Sequence, residues 1–381
     1  MNAVNNSHKK VVLFISHSSE NYGAQNSLLT LINNLPIEII PVVLFPSKGI
    51  ALQKLNEGIQ KYILFYLPWL SSRKKFVKSI VVSIVNNLAL LKVSKICREH
   101  KVDLIYSNTL ANPLGLLVSK KMKLPHIVHI REYIGIKENV CFVSSERKSL
   151  NYLRKYSSTI ICNSHSVASF YKAQMQLPKV SVIYNGINCP ENCERKPNSN
   201  VNTLLMVGYL EGRKNQEEAI YAVKLLKEKN VIVNLILAGG GDKEYIQKLK
   251  KYVESEKLER DVTFAGNVTN VSAMYASSMC LVHCAKREPW GRVIVEAMLN
   301  RCPVISADSD GAKEIITDTV NGFLYKTGDI HQLSDLIQKV ITQNIDIKCI
   351  VDTAYMEARE KYSVKRYVTE VSNIIYGLLQ K

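Results

Sequence analysis

The sequence predicts an α/β protein made of two Rossmann-like, doubly wound domains that face each other across a cleft. Short, near-continuous apolar runs alternate with helical patterns along the whole chain, and such runs are typical of parallel strands covered on both faces. The length of 381 residues favours two or three domains. A composition of 46% hydrophobic and 22% charged residues argues against disordered and fibrous proteins.

The first half of the chain contains seven strand candidates, and the second half contains six. In order they are residues 11–16, 41–45, 62–67, 103–108, 126–130, 159–163, 180–184, 203–208, 231–239, 262–266, 279–284, 303–306 and 322–325. Helical patterns separate them, for example over residues 215–229, 243–256 and 292–300. Repeated βα units of this kind imply parallel sheets.

One break divides this pattern. Residues 188–202 are polar, contain two prolines and lack periodicity, which is typical of a linker. We expect an N-terminal domain over 1–190, a linker over 191–202 and a second domain over 203–361. A C-terminal helix over 362–381 could cross back to the first domain. Ligands of such sheets bind outside the carboxyl ends of the strands.

The charge is unevenly distributed. Residues 1–200 hold 26 basic and 10 acidic side chains, a net +16, whereas residues 201–381 hold 24 and 23, a net +1. The first half therefore suits an anionic partner, either nucleic acid, a phosphorylated substrate or a membrane surface, although a solvated basic surface also fits. The apolar stretch 79–91 is shorter than the roughly 20 residues of a membrane span, and the N-terminus lacks a signal-peptide pattern. A cytoplasmic location is expected.

Two loops of the first domain carry candidate residues. Gly23 opens an amphipathic helix after the first strand, where it could admit an anion to the helix end or simply serve the loop. The pattern is not G-x-G-x-x-G, so a nicotinamide site is disfavoured. His129, Arg131 and Glu132 follow another strand candidate, although a histidine there is often structural and the Arg-Glu pair could be a plain ion pair.

The second domain carries two richer loops. Arg213 and Lys214 lie at a predicted helix start, against the helix dipole, so an anion such as a diphosphate could bind between them. They could also be two solvated cations. Glu288 and Glu296 flank Gly291 in the segment 284–298. Two carboxylates around such a turn suit the hydroxyl groups of a sugar nucleotide.

The segment E-P-W-G-x4-E over 288–296 resembles the E-x7-E motif of the family 4 glycosyltransferases, which have the GT-B fold. Further resemblances occur in order at N-Y-G-A-Q-N-S-L-L (21–29), V-I-Y-N-G-I-N (182–188) and G-Y-L-E-G-R-K-N-Q (208–216). The blocks 303–316 and 321–325 resemble those that close the family's second domain. The resemblance covers nearly the whole chain and is most specific over 203–325.

The resemblance implies a retaining, metal-independent transfer from a nucleoside-diphosphate sugar of the UDP or GDP type, with no cofactor. The acceptor would be a sugar or a lipid-linked molecule, in bacterial-type surface polysaccharide or glycolipid synthesis. The implied catalytic residues are His129 and Glu288, and Asn108, Arg131 and Glu132 would bind the acceptor. The implied donor-binding residues are Gly23, Gly208, Arg213, Lys214, Glu288, Pro289, Trp290, Gly291 and Glu296. Within this set, Glu296 would bind the ribose and Lys214 the diphosphate. By the same resemblance, the domain over 1–190 would bind the acceptor and the domain over 203–361 the sugar nucleotide.

Two positions depart from the family pattern. Tyr209 stands where an arginine is usual, and Arg213 is the expected substitute. Tyr22-Gly23 replaces a double glycine, so the donor or its pose could differ from the common type. The near match to D-x-D at Asp308-Ser309-Asp310 lies in the second domain, so no metal is expected and transfer should survive EDTA.

A basic cluster of Arg73, Lys74, Lys75 and Lys78 precedes the apolar stretch 79–91, and Lys92, Lys95 and Arg98 follow it. This pattern is typical of an interfacial segment, which predicts peripheral binding to an anionic membrane. The apolar residues could equally pack the helix on the sheet. Two alternative functions stay open: an epimerase or phosphorylase on a related scaffold, and a nucleic-acid-binding protein, although no known signature of the latter is present.

Overall fold

The computed structural model describes residues 9–71, 76–135, 140–175, 180–190, 202–342 and 346–380. The chain divides into two compact units. Unit 1 comprises residues 1–186 together with 364–381, and unit 2 comprises residues 187–363. The division falls within the N-G-I-N turn at Gly186, and unit 1 is therefore built from two separate stretches of chain.

Unit 1 alternates strands and helices from its start. Its strands are β1 (Lys10–Ser16), β2 (Ile39–Phe45), β3 (Gln60–Ile63), β4 (Leu70–Ser71), β5 (Leu104–Asn108), β6 (His126–Ile130), β7 (Cys141–Phe142), β8 (Thr159–Cys162) and β9 (Val180–Val182). The helices between them are α1 (Gly23–Asn33), α2 (Ile50–Gln53), α3 (Phe76–Glu99), α4 (Leu114–Met122), α5 (Glu146–Tyr156) and α6 (His165–Met175). The central strands are apolar and buried along most of their length, as parallel strands covered on both faces require.

Seven of these strands form one parallel sheet in the order β3-β2-β1-β5-β6-β8-β9. The strand order reverses at β1, where Ile15 lies opposite Leu44 of β2 on one side and Ser107 of β5 on the other. Such a switch point is where doubly wound sheets bind ligands. The short strands β4 and β7 form a separate antiparallel pair.

Unit 2 repeats the plan with a smaller sheet. Its strands are β10 (Thr203–Val207), β11 (Asn234–Ala238), β12 (Val262–Gly266), β13 (Cys280–His283), β14 (Val304–Ala307) and β15 (Phe323–Tyr325). Its helices are α7 (Gln216–Glu228), α8 (Lys243–Ser255), α9 (Val271–Ser277), α10 (Arg292–Leu299), α11 (Asp310–Ile315), α12 (Ile330–Ile341) and α13 (Ile347–Lys361). The parallel sheet has the order β12-β11-β10-β13-β14-β15, so its switch point lies between β10 and β13.

The last helix, α14 (Val364–Leu379), belongs to unit 1. Its apolar face is fully or nearly fully buried beside residues of β1 and α1 in one hydrophobic cluster. Tyr367, Val371 and Ile375 are each 0% exposed. Their spacing of four residues places them on one face of the helix, so α14 completes the core of unit 1.

The predicted fold class is confirmed, since both units are α/β domains with parallel sheets. Each of the thirteen predicted strands overlaps an observed strand, but the one predicted at 62–67 ends at Ile63. One further backbone bond to β2 follows, from the Leu64 amide to the Phe45 carbonyl oxygen, and at Leu67 the side chain of Asn86 in α3 bonds both the backbone amide and the carbonyl group.

Helix α3 is longer than the apolar stretch 79–91 suggested. Its segment Lys78–Glu99 is long and apolar enough to cross a membrane by length and composition, which corrects the expectation that this region is too short. Core helices of soluble proteins pass the same test, and one face of α3 is indeed buried in unit 1, through Val82, Asn86, Ala89 and Val93.

Candidate functional site

The loops at the carboxyl edge of the unit 2 sheet lie very close together. Gly208, directly after β10, has a φ of +145°, and a side chain at Gly239, after β11, would approach the Gly208 carbonyl oxygen to 2.0 Å. The amide of Leu210 donates to the carbonyl oxygen of Gly240 over 2.8 Å. Glycine is therefore required where these two backbones meet.

Two of the predicted donor loops converge on one ion pair. Lys214, after β10, donates from Nζ to Oε2 of Glu288, after β13. The backbone joins the same loops, because the Lys286 amide donates to the Arg213 carbonyl oxygen over 3.3 Å. A cation and a carboxylate that are 74 positions apart in sequence thus meet at the switch point of the sheet.

Glu288 is buried and ionised. Burial alone would raise its pKa, but Lys214 and His283 outweigh burial and hold the pKa of Glu288 well below its usual range. His283 lies at the end of β13, with Nε2 3.3 Å from Glu288 Oε2 and Nδ1 3.1 Å from the Ser306 hydroxyl. Sequence reasoning missed His283, because its two partners come from different parts of the chain, Glu288 from the loop after β13 and Ser306 from β14.

The turn after Glu288 is packed tightly. Gly291 caps α10 with a φ of +104°, which favours glycine. Trp290 is 2% exposed, and its ring meets Tyr362 edge-on at 5.5 Å between centroids. Its indole is therefore a packing group, and only the backbone of the Pro289-Trp290-Gly291 turn remains suited to a donor sugar. The Gly311 amide donates to the Glu288 carbonyl oxygen and holds this turn in place.

Glu296 lies one helical turn inside α10. Its carboxylate accepts from Arg292 Nε over 2.7 Å and from the Tyr275 hydroxyl over 3.3 Å, and the side chain is 26% exposed. It therefore keeps access to solvent and free acceptor capacity, as binding of ribose hydroxyls requires. Arg292 and Tyr275 were not predicted.

Arg213 and the D-x-D sequence are already paired. Arg213 Nη2 contacts Glu211 Oε1 at 2.6 Å, and the arginine side chain is 45% exposed. Asp308 accepts the amide and hydroxyl of Thr327, and these bonds hold its pKa below the usual value. Asp310 lies 3.4 Å from Arg287 Nε.

In unit 1, Gly23 is the first residue of α1, as predicted. Asn108, at the end of β5, donates to the Ala24 carbonyl oxygen over 3.1 Å and accepts from Arg131 Nε over 2.9 Å. The structure therefore brings the first glycine loop to the ends of β5 and β6, next to His129.

The expectation that Asn108 and Arg131 bind the acceptor finds no support in their contacts. Asn108 is 0% and Arg131 7% exposed. The guanidinium of Arg131 is surrounded by internal partners, which are Asn108, His129, Asn185 and Tyr367. Both side chains are thus committed to each other and to the interior.

Glu132 has a different environment. Its carboxylate accepts the amides of Leu110 and Arg131 over 2.7 and 3.0 Å. Burial raises its pKa to about 7, although these amides and the charge of Arg131 act in the opposite direction. A carboxyl group that changes its charge near neutral pH therefore lies at the end of β6.

A second histidine, His17, enters this cluster from the end of β1. Its ring nitrogens lie 3.2 Å from Gln25 Nε2. Burial lowers its pKa to about 4, the backbone of Asn108 opposes this, and the charge of Arg131 adds to it. His17, Gln25, Asn185 and Tyr367 were all missed, although Gln25 and Asn185 had a signal, since they lie in the blocks 21–29 and 182–188 that resemble family motifs.

The predicted membrane-contact residues are only partly described. Arg73, Lys74 and Lys75 lie outside the described residues, whereas Lys78 donates to the Ser71 hydroxyl over 3.0 Å. The solvent face of α3 carries an apolar stripe. It consists of Ile80, Val81, Ile84, Leu88 and Leu91, which are 45–62% exposed.

Two family models match the chain. The model described as Glycosyltransferase Family 4 matches residues 23–190, and the model described as Glycosyl transferases group 1 matches residues 192–357. Among curated proteins, the human alpha-1,3/1,6-mannosyltransferase ALG2 is 26% identical over 296 residues, which is 70% of this chain and 71% of that protein.

Two further proteins show the range of similarity. The poly(glycerol-phosphate) alpha-glucosyltransferase of Bacillus subtilis is 27% identical over 165 residues, 43% of this chain and 24% of that protein. The crystal structure of Anabaena HepE in complex with UDP-glucose superposes with a TM-score of 0.80 at 23% identity, covering 96% of this chain and 99% of that one. This structural similarity shows a shared fold.

Proposed function

Because this chain belongs to the family 4 glycosyltransferases with the GT-B fold, we propose that it moves a sugar from a nucleoside-diphosphate sugar to a hydroxyl acceptor with retention at the anomeric carbon. Unit 2 binds the donor, and unit 1 binds the acceptor. The observation that carries the proposal is the convergence of Lys214 and Glu288 at the switch point of the unit 2 sheet.

The donor site would use groups that are already in place. Lys214 supplies a positive charge for the diphosphate, and Arg213 lies beside it with only a surface partner. Glu288 and the backbone of the following turn face the sugar hydroxyls, and Glu296 binds the ribose. The HepE complex makes UDP the first nucleotide to test, with GDP second.

The chemistry follows from the charge that develops as the donor breaks. The bond between the anomeric carbon and the diphosphate oxygen lengthens, and negative charge accumulates on the leaving diphosphate. Lys214 stabilises that charge as a prepositioned donor, which is the largest contribution that protein groups usually make to such reactions. Retention is what the family resemblance implies: the acceptor oxygen approaches from the face that the leaving group departs from. It bonds to the anomeric carbon as the bond to the diphosphate breaks, and its proton passes to the leaving diphosphate oxygen. The proposed mechanism includes no metal ion, so transfer should continue in EDTA.

The acceptor is proposed to be a sugar or a lipid-linked molecule, with the chain bound peripherally at the cytoplasmic face of a membrane. Two features of α3 support membrane binding: its exposed apolar stripe, and the exposed basic residues Lys92 and Lys95 on the same helix. Apolar and basic side chains together are typical of an interfacial helix. A role in surface polysaccharide or glycolipid synthesis fits such an acceptor. The matching family models and the human relative are glycosyltransferases, which favours sugar transfer over the epimerase, phosphorylase and nucleic-acid alternatives.

The test is transfer of a radiolabelled sugar from UDP- and GDP-sugars by the wild type and by two variants. Lys214→Ala and Glu296→Ala should each lower kcat/KM at least tenfold, since a lost charged hydrogen bond costs about 1.5–3 kcal/mol. Lys248→Ala and Glu217→Ala are matched controls, because these two residues form an exposed ion pair on the same unit. Near-normal transfer by either donor-site variant would contradict the site.

Nucleotide choice has a separate measurement. A ligand that binds the folded protein raises its stability by mass action, so the correct nucleoside diphosphate should raise the melting temperature of the wild type. Among UDP, GDP and ADP, one is expected to act well below the concentrations the others need. The same nucleotide should lose most of this effect on Lys214→Ala and keep it on Lys248→Ala.

A further inference from the structure

Strand β6 carries two fully buried histidines with opposite surroundings. His126 has Nδ1 3.3 Å from the Tyr156 carbonyl oxygen and Nε2 2.8 Å from the Ser107 hydroxyl. A carbonyl oxygen only accepts, so the proton lies on Nδ1 and Nε2 accepts from the serine. Both nitrogens of His126 are satisfied, which identifies it as a structural residue of the core.

His129 differs at both nitrogens. Its Nδ1 lies 2.5 Å from the Tyr106 hydroxyl and 3.2 Å from Arg131 Nη2. A guanidinium has donors and no acceptor, so Nδ1 must be the acceptor and the proton must lie on Nε2. Within the part of the chain that the structure describes, Nε2 is buried and has no hydrogen-bond partner. A buried, unpaired donor of this kind calls for a functional explanation.

Arg131 is fixed from several directions. Nε donates to Asn108 of β5, Nη1 to Asn185 after β9, and Nη2 to the Tyr367 hydroxyl of α14 over 2.9 Å. These partners come from separate elements, and together they determine the plane of the guanidinium. The geometry leaves Nη2 directed at His129 Nδ1.

We propose that Arg131, with Tyr106 and Tyr367, is a positioning residue that keeps the proton of His129 on Nε2, so that β6 presents a neutral N–H donor to an oxygen of the sugar substrate. The substrate part of this inference rests on the proposed function. His129 then acts as a hydrogen-bond donor to a hydroxyl or ring oxygen and takes no proton from the acceptor.

The charges around His129 agree with a neutral ring. Burial, and then the charge of Arg131, hold the pKa of His129 well below its usual range. The groups that face the ring are Tyr106 from β5, Tyr367 from α14 and Arg131 itself. His17 and Glu132 flank Arg131 from the ends of β1 and β6.

The tautomer is measured by two-bond 1H–15N correlation spectra of the full chain labelled with 15N-histidine. His129, assigned by the loss of its signals in His129→Gln, should show the Nε2–H pattern unchanged from pH 6 to pH 8. His126 is the internal control and should show the opposite, Nδ1–H pattern. An Nδ1–H or charged His129 in the wild type would overturn the proposal whether or not the protein transfers sugar.

Two variants test the role of Arg131. Arg131→Gln removes the positive charge and the guanidinium donors, so His129 should show mixed tautomers or begin to titrate in this pH range. Tyr367→Phe keeps the ring in the core and removes only the hydroxyl group. This variant replaces Arg131→Gln in the test if Arg131→Gln does not fold, and it should shift the His129 signals in the same direction. The positioning role would be contradicted if the His129 spectra were unchanged in a folded Arg131→Gln protein. If Tyr367→Phe is used in its place, unchanged spectra in that variant would have the same meaning.

Activity gives an independent readout. A glutamine amide can replace the Nε2–H donor, so His129→Gln should retain at least tenfold more kcat/KM than His129→Ala. Because the Glu132 carboxyl group has a pKa of about 7 and could add its own limb, the pH profile is measured in Glu132→Gln, whose kcat/KM should lack a limb near the ordinary histidine pKa. If His129→Gln is as inactive as His129→Ala and the rate titrates near pH 6.5, His129 is a base and the proposal fails. Correct tautomers without any transfer would instead refute the proposed function alone.

Discussion

Arg213 and Lys214 are neighbours in sequence but differ in how firmly their charges are held. Lys214 is 25% exposed and paired with a buried carboxylate, whereas Arg213 is 45% exposed and paired with Glu211 on the surface. An exposed ion pair contributes about 0–1 kcal/mol, so Arg213 can leave its partner at little cost. It is thus available to compensate for Tyr209, which occupies the position of the usual arginine.

If Arg213 binds the diphosphate, Arg213→Ala should weaken binding of the nucleoside diphosphate about tenfold or more, which is the usual effect of losing a charged hydrogen bond. Binding of the matching nucleoside should change little. Isothermal calorimetry with UDP and uridine measures both. Glu211→Ala is the control, because it frees Arg213 without removing it, and equal losses for the two ligands in Arg213→Ala would identify Arg213 as a surface cation.

Glu132 should leave a signature in the pH dependence of stability. Its folded pKa of about 7 lies above the ordinary value of 4.5, so between these values the folded state binds more protons than the unfolded state. Its contribution is therefore fully present below pH 4.5 and is lost as the pH rises through about 7. Urea unfolding of the wild type and Glu132→Gln should show a wild-type advantage that shrinks from pH 5 to pH 8.

Subtracting the unfolding free energy of Glu132→Gln from that of the wild type cancels the contributions of all other titrating groups, because both proteins contain them. Glutamine also loses one of the two amide bonds that Glu132 accepts, so some destabilisation should remain at every pH. A difference in unfolding free energy that stays constant across this range would show that the carboxyl group does not titrate there.

At the residue scale, the sequence indicated where candidate site residues lie along the chain, but it did not indicate which side chains contact them. Lys214, Glu288 and Glu296 could be proposed as site residues because each lies in the loop after a strand, or in the helix that follows that loop, within a family-like motif. His283, Tyr106 and Tyr367 were missed, because their importance arises from contacts between strands and helices far apart in sequence. The role of Arg131 also depends on such contacts, and no local pattern reveals them.

Among the elements, α3 has two apolar faces. One packs on unit 1 through Val82, Ala89 and Val93, and the other exposes Ile84, Leu88 and Leu91. A helix of a globular domain usually covers one apolar stripe and leaves a polar one in water. The exposed stripe, followed by Lys92 and Lys95, therefore favours contact with a lipid surface.

We expect the protein to sediment with anionic vesicles at low salt, less so at high salt, and little with neutral vesicles. Changing Ile84, Leu88 and Leu91 to Ser should reduce sedimentation at least tenfold, because apolar contact adds to the roughly 1 kcal/mol of each basic residue. Changing Lys92 and Lys95 to Glu should have a similar effect. Nucleotide binding should be unchanged, since the proposed nucleotide contacts at Lys214 and Glu296 lie in unit 2 and α3 lies in unit 1.

Ile37→Ser is the matched control, because Ile37 is an apolar residue of unit 1 that is 79% exposed and lies outside α3. It should sediment like the wild type. A wild-type protein that ignores anionic vesicles at low salt would indicate a soluble acceptor and a basic half that is only a solvated surface.

The elements were largely predictable. Most of the parallel strands are continuous apolar runs, so twelve of the thirteen could be located from sequence, whereas β3 is mostly exposed and shares only Tyr62 and Ile63 with the predicted strand. The pair β4 and β7 could not, since each strand has two residues and no periodicity. The solvent stripe of α3 was equally hidden, because an apolar helix shows its buried and exposed faces only once it packs.

For the whole molecule, the decisive feature is the return of the chain to unit 1. The backbone leaves unit 1 after Gly186 and re-enters it at Val364. Helix α14 then contributes fully buried side chains to the core and the Tyr367 hydroxyl to the Arg131 cluster.

A chain truncated after Ser363 should lose the folded state of unit 1. The loss of Tyr367, Val371 and Ile375 exposes core surface, and a single large-to-small change at such a site costs about 2–5 kcal/mol. Limited proteolysis should cut residues 9–186 far faster than in the full chain. A chain lacking only Gln380 and Lys381 is the control and should resist, and a truncated chain with the wild-type cleavage pattern would contradict the role of α14.

This arrangement also sets an order of events during synthesis. Domains generally fold from the N-terminus as the chain emerges from the ribosome. Here the ribosome completes every residue of unit 2 before it begins α14, so the core of unit 1 can be finished only after unit 2 has been synthesised. A premature stop codon directly after Ser363 would therefore damage unit 1, although it leaves the coding sequence of unit 2 complete.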